Sequence, residues 1–402
     1  MNKTFYYIAN GKMYHFDGEA SREIPSWVLN SYISKVKSRA ELNEWKHSGA
    51  GAAFIGTASP HVSASEAVGA IFSRITCIGE YGDNILYSID IDSTNGIYRK
   101  SNETDSEGIV LCSSSTAYRD FDIRGDRLVS SAAFAGESHI GVLDLKSGNF
   151  DIYTEGHVRD SSPVWSAVSD DEIYFCSAGL PENEKKAPED EKPPRGISQI
   201  VNEMYSSSSV NLGPSSVCVL NIREATLTEI LSDNRFNFTH PESASDGSLY
   251  YIRKPYKYNQ GHSDSLGCLV DIVLLPVRLV QALFGFLNVF SAKYSGKTLS
   301  RSDVKQKDER ELMIDGNLIN AERELKENAR RGDENPGIIP RSWELHRLDK
   351  YGNDTLIKAG VAAYRLCDDG SILISNGSHI LLIDEKGKEH KLLTVEGVSF
   401  IK

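Results

Sequence analysis

Five stretches of the chain carry one pattern, a Gly/Asp turn followed by a short strand of β-branched and aromatic residues: GEYGDNILYSI, DIRGDRLVSS, AVSDDEIYFC, SASDGSLYYI and LCDDGSILIS. Each reads as a hairpin leading into a half-buried strand. The first three turns, at Gly82, Gly125 and Asp170, are spaced as four-stranded propeller blades require. The later gaps are longer, and taking out 181–214 and 256–340 restores the period. After each first hairpin comes a strand ending in a polar turn (HIGVLDLKSG, SVCVLNIREA, ELHRLDKYG), then a short fourth strand, so the repeat has four strands, a to d.

The two ends of the chain match each other. SILISNGSHILLIDEKGKEHKLL near the C-terminus and TFYYIANGKMYHFDGEASREI near the N-terminus both run strand, Asn-Gly hairpin, strand, charged turn, strand. The N-terminus therefore supplies strands b to d of a blade, and the final GVSFIK supplies its strand a. Sharing one sheet between the termini leaves no open edge in the ring. The expected fold is an all-β, six-bladed β-propeller with helical insertions on one face. Residues 1–24 give the shared blade, and later blades begin near Arg74, Tyr118, Arg159, Arg235 and Val361. An irregular β-sandwich is the alternative.

PVWSAVSDDEIYF and FTHPESASDGSLYYI resemble the repeat of TolB-type and related WD-like propellers, in which a first strand ending near Ser-x-Asp-Gly leads into an aromatic second strand. The resemblance covers roughly four blades. It implies the propeller fold and a tendency to bind partners, and no reaction. The Trp-Asp and Gly-His pairs of true WD repeats are missing, as is the GxSxG elbow of propeller-bearing peptidases.

Three segments depart from the repeat: 25–70 between blades one and two, 181–214 within blade four, and 256–340 within blade five, before the remaining blade five and blade six strands in 341–402. In a propeller these d-to-a and b-to-c connections leave one face. The first contains PSWVLNSYISKVKSRAELNEWK, with Leu29, Ile33, Val36 and Ala40 on one helical stripe that should pack on the propeller. The second, PENEKKAPEDEKPPRG, is too charged and proline-rich to bury anything. The third carries a charged helical segment, DERELMIDGNLINAERELKENARRG, and the apolar run CLVDIVLLPVRLVQALFGFLNVF, expected as a helix over 266–290.

On that helix Asp271, Arg278, Gln281, Gly285 and Asn288 share about a third of the circumference. Leu274, Leu275, Leu279, Leu283, Phe284, Phe286, Leu287 and Phe290 fill much of the rest. A single crossing of a bilayer would put two pairing strands on opposite sides of it. A helix lying in the interface plane has no such conflict. Lys254 and Lys257 before it, and Lys293, Lys297, Arg301, Lys305 and Lys307 after it, suit an anionic membrane surface. Burial against the propeller or another protein is the other reading.

Composition narrows the partners. Net charge is -12, which argues against nucleic acid. The six cysteines are scattered without a CxxC pair, as expected of reduced thiols, and no secretory signal is readable, so the expected location is cytoplasmic, or peripheral on the inner face of a membrane. No cofactor and no metal site are expected. Channel candidates on first strands are Asp120, Asp122, Asp160, Asn237 and His240, each also suited to a salt bridge or turn cap. Arg74, Arg119, Arg159, Arg235, Arg365 and Lys402 stand near the starts of first strands and could ring the channel mouth to grip a phosphate or acidic peptide. Pairing of these cations with neighbouring acids is the competing expectation. The resulting reading is a non-catalytic adaptor that docks on a membrane surface or protein partner. The alternatives are a lactonase-like propeller hydrolase and an anion sensor.

Overall fold

The computed structural model describes residues 3–43, 73–91, 95–180, 212–256, 311–314 and 317–402. The apolar stretch 266–290, with all eight of its proposed docking residues, lies outside the described residues, as does 181–211.

The chain is an all-β propeller built from antiparallel four-stranded units. The first unit contains β1 (Phe5–Ala9), β2 (Lys12–Phe16) and β3 (Ser21–Ile24), followed by helix α1 (Trp27–Asn43). The second is β4 (Arg74–Tyr81), β5 (Asn84–Asp90), β6 (Asn95–Ser101) and β7 (Glu107–Ser113). The third is β8 (Ala117–Arg124), β9 (Arg127–Phe134), β10 (Glu137–Asp144) and β11 (Phe150–Ile152). The fourth is β12 (Val158–Trp165), β13 (Glu172–Gly179), β14 (Ser216–Asn221) and β15 (Thr226–Leu231).

The fifth unit opens with β16 (Phe236–Ser243) and β17 (Leu249–Pro255). An insertion follows, containing the hairpin β18 (Glu311–Ile314) and β19 (Asn317–Asn320) and helix α2 (Ala321–Arg330). The unit then closes with β20 (Glu344–Leu348) and β21 (Asp354–Ala359). The sixth is β22 (Ala363–Leu366), β23 (Ile372–Ser375), β24 (His379–Ile383) and β25 (Glu389–Thr394). The last strand, β26 (Val398–Ile401), returns to pair with β1, so the first sheet runs β26-β1-β2-β3.

Alternation along each strand explains why the units form a ring. Each sheet has two buried faces, so successive residues go to opposite neighbours. In β1, Phe5, Tyr7 and Ala9 pack with Leu373, Ile380 and Leu382 of the sixth unit, while Ile8 packs with Ile75, Ile78 and Tyr87 of the second. Equivalent clusters fill the remaining junctions, from Cys77, Leu86 and Phe121 between units two and three to Ile252, Leu345 and Ile374 between five and six. The inner strands β26, β4, β8, β12, β16 and β22 touch in that order and close the cycle. Units three and four are further joined by a parallel pairing, Ser138 opposite Arg159, which makes them one eight-stranded sheet.

α1 lies against units one and two through Leu29, Val28, Tyr32 and Ile33. Its start is held by the Glu107 carboxylate, which accepts from the Trp27 and Val28 amides at 3.0 and 3.1 Å. Such an acceptor suits the orphan N–H groups and partial positive charge of a helix N-terminus. The charged segment expected as one helix is instead a hairpin and then a helix. Leu312 pairs with Ile319 and Met313 with Leu318 across the two strands, and helix begins only where Asn320 accepts from the Arg323 amide. The insertion packs through Ile319, Ala321, Ile338, Ile339 and Trp343 against Ala362. The amides of Ile338 and Ile339 both donate to Asn376 O, in the b-to-c turn of the sixth unit. Among the described residues no helix is long and apolar enough to cross a membrane.

Candidate functional site: the central channel

The inner strands line a cavity of ≈ 480 Å³. Besides β26, whose pairing with β1 also shifts register, four of them carry a bulge: at Thr76 in β4, at Arg119–Asp120 in β8, at Ser162–Pro163 in β12 and at His240–Pro241 in β16. An extra residue in one strand re-aims the side chains beside it. All seven of these residues line the cavity. Ser162 (φ 51°) and His240 (φ 53°) hold left-handed backbone conformations directly before proline. Such positions cost about 1–3 kcal/mol each unless the surroundings fix them. Here Tyr364 Oη donates to His240 O at 2.6 Å, and the Ser162 amide donates to Asp120 Oδ2 at 3.2 Å.

Beyond this shelf, towards the ends of the inner strands, lies a belt of four charges. Lys402 Nζ donates to Asp122 Oδ1 at 2.6 Å, joining the shared blade to unit three. Arg365 meets Glu242 Oε1 at 2.8 Å, joining units six and five. Each carboxylate also takes a backbone N–H from the next unit: Trp165 N–H to Asp122 at 3.0 Å and Leu366 N–H to Glu242 at 3.2 Å. The Asp122 and Glu242 side chains are 12% and 13% exposed, so they are acids held in a largely dry site.

The two carboxyls respond in opposite directions. Burial drives the Asp122 pKa upwards, but the Lys402 charge and hydrogen bond, the more distant Arg365 charge and the Trp165 amide together hold it below its ordinary value. For Glu242 burial prevails over Arg365 and Lys402, and its pKa is raised, with Asp122 adding like-charge repulsion. Burial, then the Glu242 charge, likewise lifts the Tyr364 phenol well above its usual range. Burial raises the Cys77 thiol too, and its Sγ donates to Phe121 O at 3.2 Å.

The six basic residues expected at the mouth do not form one ring. Arg74 and Arg119, at the starts of β4 and β8, line the cavity near its mouth. Arg365 and Lys402 line it as well, but at the far end, inside the belt. Arg159 and Arg235 do not line it. Arg159 Nε donates to Gly136 O in the neighbouring unit, and Arg235, 75% exposed, pairs with Asp233 in its own turn. Of the acidic and polar candidates, Asp120, Asp122 and His240 line the channel. Asp160 is buried between units three and four, accepting from Thr154 Oγ1 at 2.6 Å and Ser177 Oγ at 2.7 Å. Asn237 accepts from the Ser215 amide at 3.0 Å. Sequence reasoning missed Glu242. The available signal was its position directly after His240–Pro241, two residues past His240, as Asp122 stands two residues past Asp120.

Among the described residues no group of three or more His, Cys, Asp and Glu side chains is placed to hold a metal ion.

No family model and no curated protein matches the sequence. Among solved structures the chain is similar to TolB from Acinetobacter baumannii (TM-score 0.46, 8% identity, 99% of this chain on 66% of that one). It is similar to a putative TolB from Agrobacterium tumefaciens (TM-score 0.37, 12% identity, 65% of this chain on 68% of that one). It also resembles a chain of the nidogen/laminin complex (TM-score 0.45, 6% identity, 99% on 97%). The chain thus spans about two thirds of the TolB chains it resembles.

Proposed function

We propose that the protein is a non-catalytic propeller scaffold that docks on a membrane surface or a protein partner through the face from which its long connections leave. The supporting observation is the common origin of those connections. β3 to β4 is a d-to-a link, and β13 to β14 and β17 to β20 are b-to-c links. Such links share a face, as the Ile75 amide bonding Gly11 O in a b-to-c turn illustrates. The apolar run 268–290 falls in the β17-to-β20 link and so is tethered there at both ends. Its width of apolar surface and the basic residues Lys257, Lys293, Lys297, Arg301, Lys305 and Lys307 favour lipid interface or an apolar partner; Lys254 is spent inside the fold, buried over the Trp343 ring. The belt charges fit a scaffold as well, because each is spent on a bond between blades.

The test is co-sedimentation with liposomes of the full chain and of a version with 257–310 replaced by a short Gly-Ser linker, on anionic and neutral lipid at two salt concentrations. Pelleting of the full chain alone, strongest on anionic lipid at low salt, is the expected result. If both versions stay in solution, lipid docking is wrong and a protein partner remains as the occupant of that face.

The opposed pKa shifts of Asp122 and Glu242 favour a second reading, since such pairs serve as base and acid in hydrolases. Turnover of a lactone panel by the full chain, abolished in Glu242→Gln, would establish it in place of the scaffold.

A further inference from the structure

The mouth of the channel holds cationic groups that the fold does not consume. Arg74 makes no ion pair or side-chain hydrogen bond with any described residue, although it lines the cavity. Arg119, with 55% of its side chain exposed, has among the described residues one long ion pair, 3.5 Å to Asp90. The belt below is neutral in sum, with Arg365 and Lys402 against Asp122 and Glu242. At the mouth Arg74 and Arg119 stand with two acids, Asp120 in the lining and Asp90 against Arg119, so the charges balance but Arg74 has no acid bonded to it among the described residues. A guanidinium left without a bonded acid in a concave, walled site attracts anions.

The shelf is also built for contact. Bulges in four successive inner strands place Thr76, Arg119, Ser162 and His240 in the lining of one cavity, and two of these residues hold left-handed backbones before proline. Backbone strain repeated around one cavity points to a site whose shape matters. The volume, ≈ 480 Å³, lies within the range of small-molecule pockets.

We propose that the channel mouth is a binding site for a small oxyanion, a phosphate monoester or dicarboxylate, gripped by the Arg119 and Arg74 guanidinium groups with Ser162 and His240 beside it. Guanidinium forks match both phosphate and carboxylate in two-point geometry. The site does not depend on what the 268–290 segment docks to, so the two proposals fail separately.

The experiment is calorimetric titration of the full chain at fixed ionic strength with glycerol phosphate, succinate, inorganic phosphate and, as a control, chloride. Saturable binding of glycerol phosphate or succinate with Kd of about 1 mM or tighter is expected, and whichever binds better identifies the headgroup. Arg119→Gln and Arg74→Gln should each weaken it by about tenfold or more, Arg119→Lys by less, and Arg235→Gln not at all. The arginines are exposed, so unchanged denaturation midpoints will separate lost binding from lost folding. No saturation by any oxyanion at about ten times that concentration, or equal affinity in all four variants, overturns the proposal.

Discussion

Replacing Arg365 by Met removes the cation from Glu242 while keeping most of the apolar stem. The carboxylate retains the Leu366 amide and the more distant Lys402 charge. Breaking a buried ion pair from one side typically costs about 3–5 kcal/mol. Here a ceiling applies, because the variant can fold with Glu242 protonated. From the ordinary value of 4.5, holding a carboxyl neutral at pH 7 costs about 1.36 × 2.5, or about 3.4 kcal/mol, and at pH 5 about 0.7 kcal/mol. With Lys402 still near, the expected loss is about 2–3 kcal/mol at pH 7 and under about 1 kcal/mol at pH 5.

The sign follows from linkage. A carboxyl whose folded pKa is raised contributes stability that is whole below its unfolded pKa and is lost as pH rises through the folded value. Removing Arg365 moves that folded value further up, so the penalty appears on the alkaline side. Glu242→Gln removes the titrating group, and the double variant should recover most of the loss and show no such pH dependence. Urea unfolding at both pH values, followed by tryptophan fluorescence, measures all four proteins. A loss that is equal at pH 5 and pH 7, or that Glu242→Gln does not relieve, would refute the claim that Glu242 is buried and balanced by Arg365.

Other perturbations test separate joints of the fold. Gly377 has φ +85° and an added Cβ would stand 2.5 Å from Ile338 Cγ1, so Gly377→Ala should cost about 2–4 kcal/mol and expose the 311–343 insertion to limited proteolysis. Gly387→Ala, at φ +77° with nothing within 4 Å, should cost only about 1 kcal/mol. Asp160→Ala strands the Thr154 and Ser177 hydroxyls and should lower stability by about 2–3 kcal/mol in urea unfolding, whereas Asp160→Asn, which keeps an acceptor, should cost about 1 kcal/mol or less. Ile401→Asp puts a charge at a position 3% exposed in the closing strand. It should destabilise by more than about 3 kcal/mol and produce oligomers on size exclusion, because β1 then offers an open edge.

The architecture was legible because propeller sheets are buried on both faces, which forces alternation into nearly every strand. The Asn-Gly turns of the first and last sheets marked the shared blade, and β26 pairs with β1 where GVSFIK was expected to. The channel was less legible because inner-strand bulges break the period-two register. A residue counted from the strand start therefore changes face after the bulge. Arg119 at a bulge points inward, whereas Arg159, ahead of the bulge in β12, turns to Gly136 of the neighbouring unit. The 308–332 segment was misread because its charged residues satisfy a helical period on both sides of a turn, and only its second half finds a cap at Asn320.

The charge placement explains how an acidic propeller carries cations in its channel. Each belt cation has its acid on a different unit, so the pairs act as ties across the ring and cancel each other's field. Only where the inner strands begin is a lining arginine, Arg74, left without a bonded acid among the described residues. That places it on the same face as the three long connections. A docked membrane or partner would then cover the oxyanion site, and ligand and docking surface would compete for one face. Glycerol phosphate or succinate, whichever binds, should therefore reduce liposome pelleting of the full chain in proportion to its occupancy of the channel. Arg119→Gln should remove that competition while leaving pelleting in the absence of ligand intact. Pelleting unaffected by saturating ligand would mean that the two functions occupy the face without meeting.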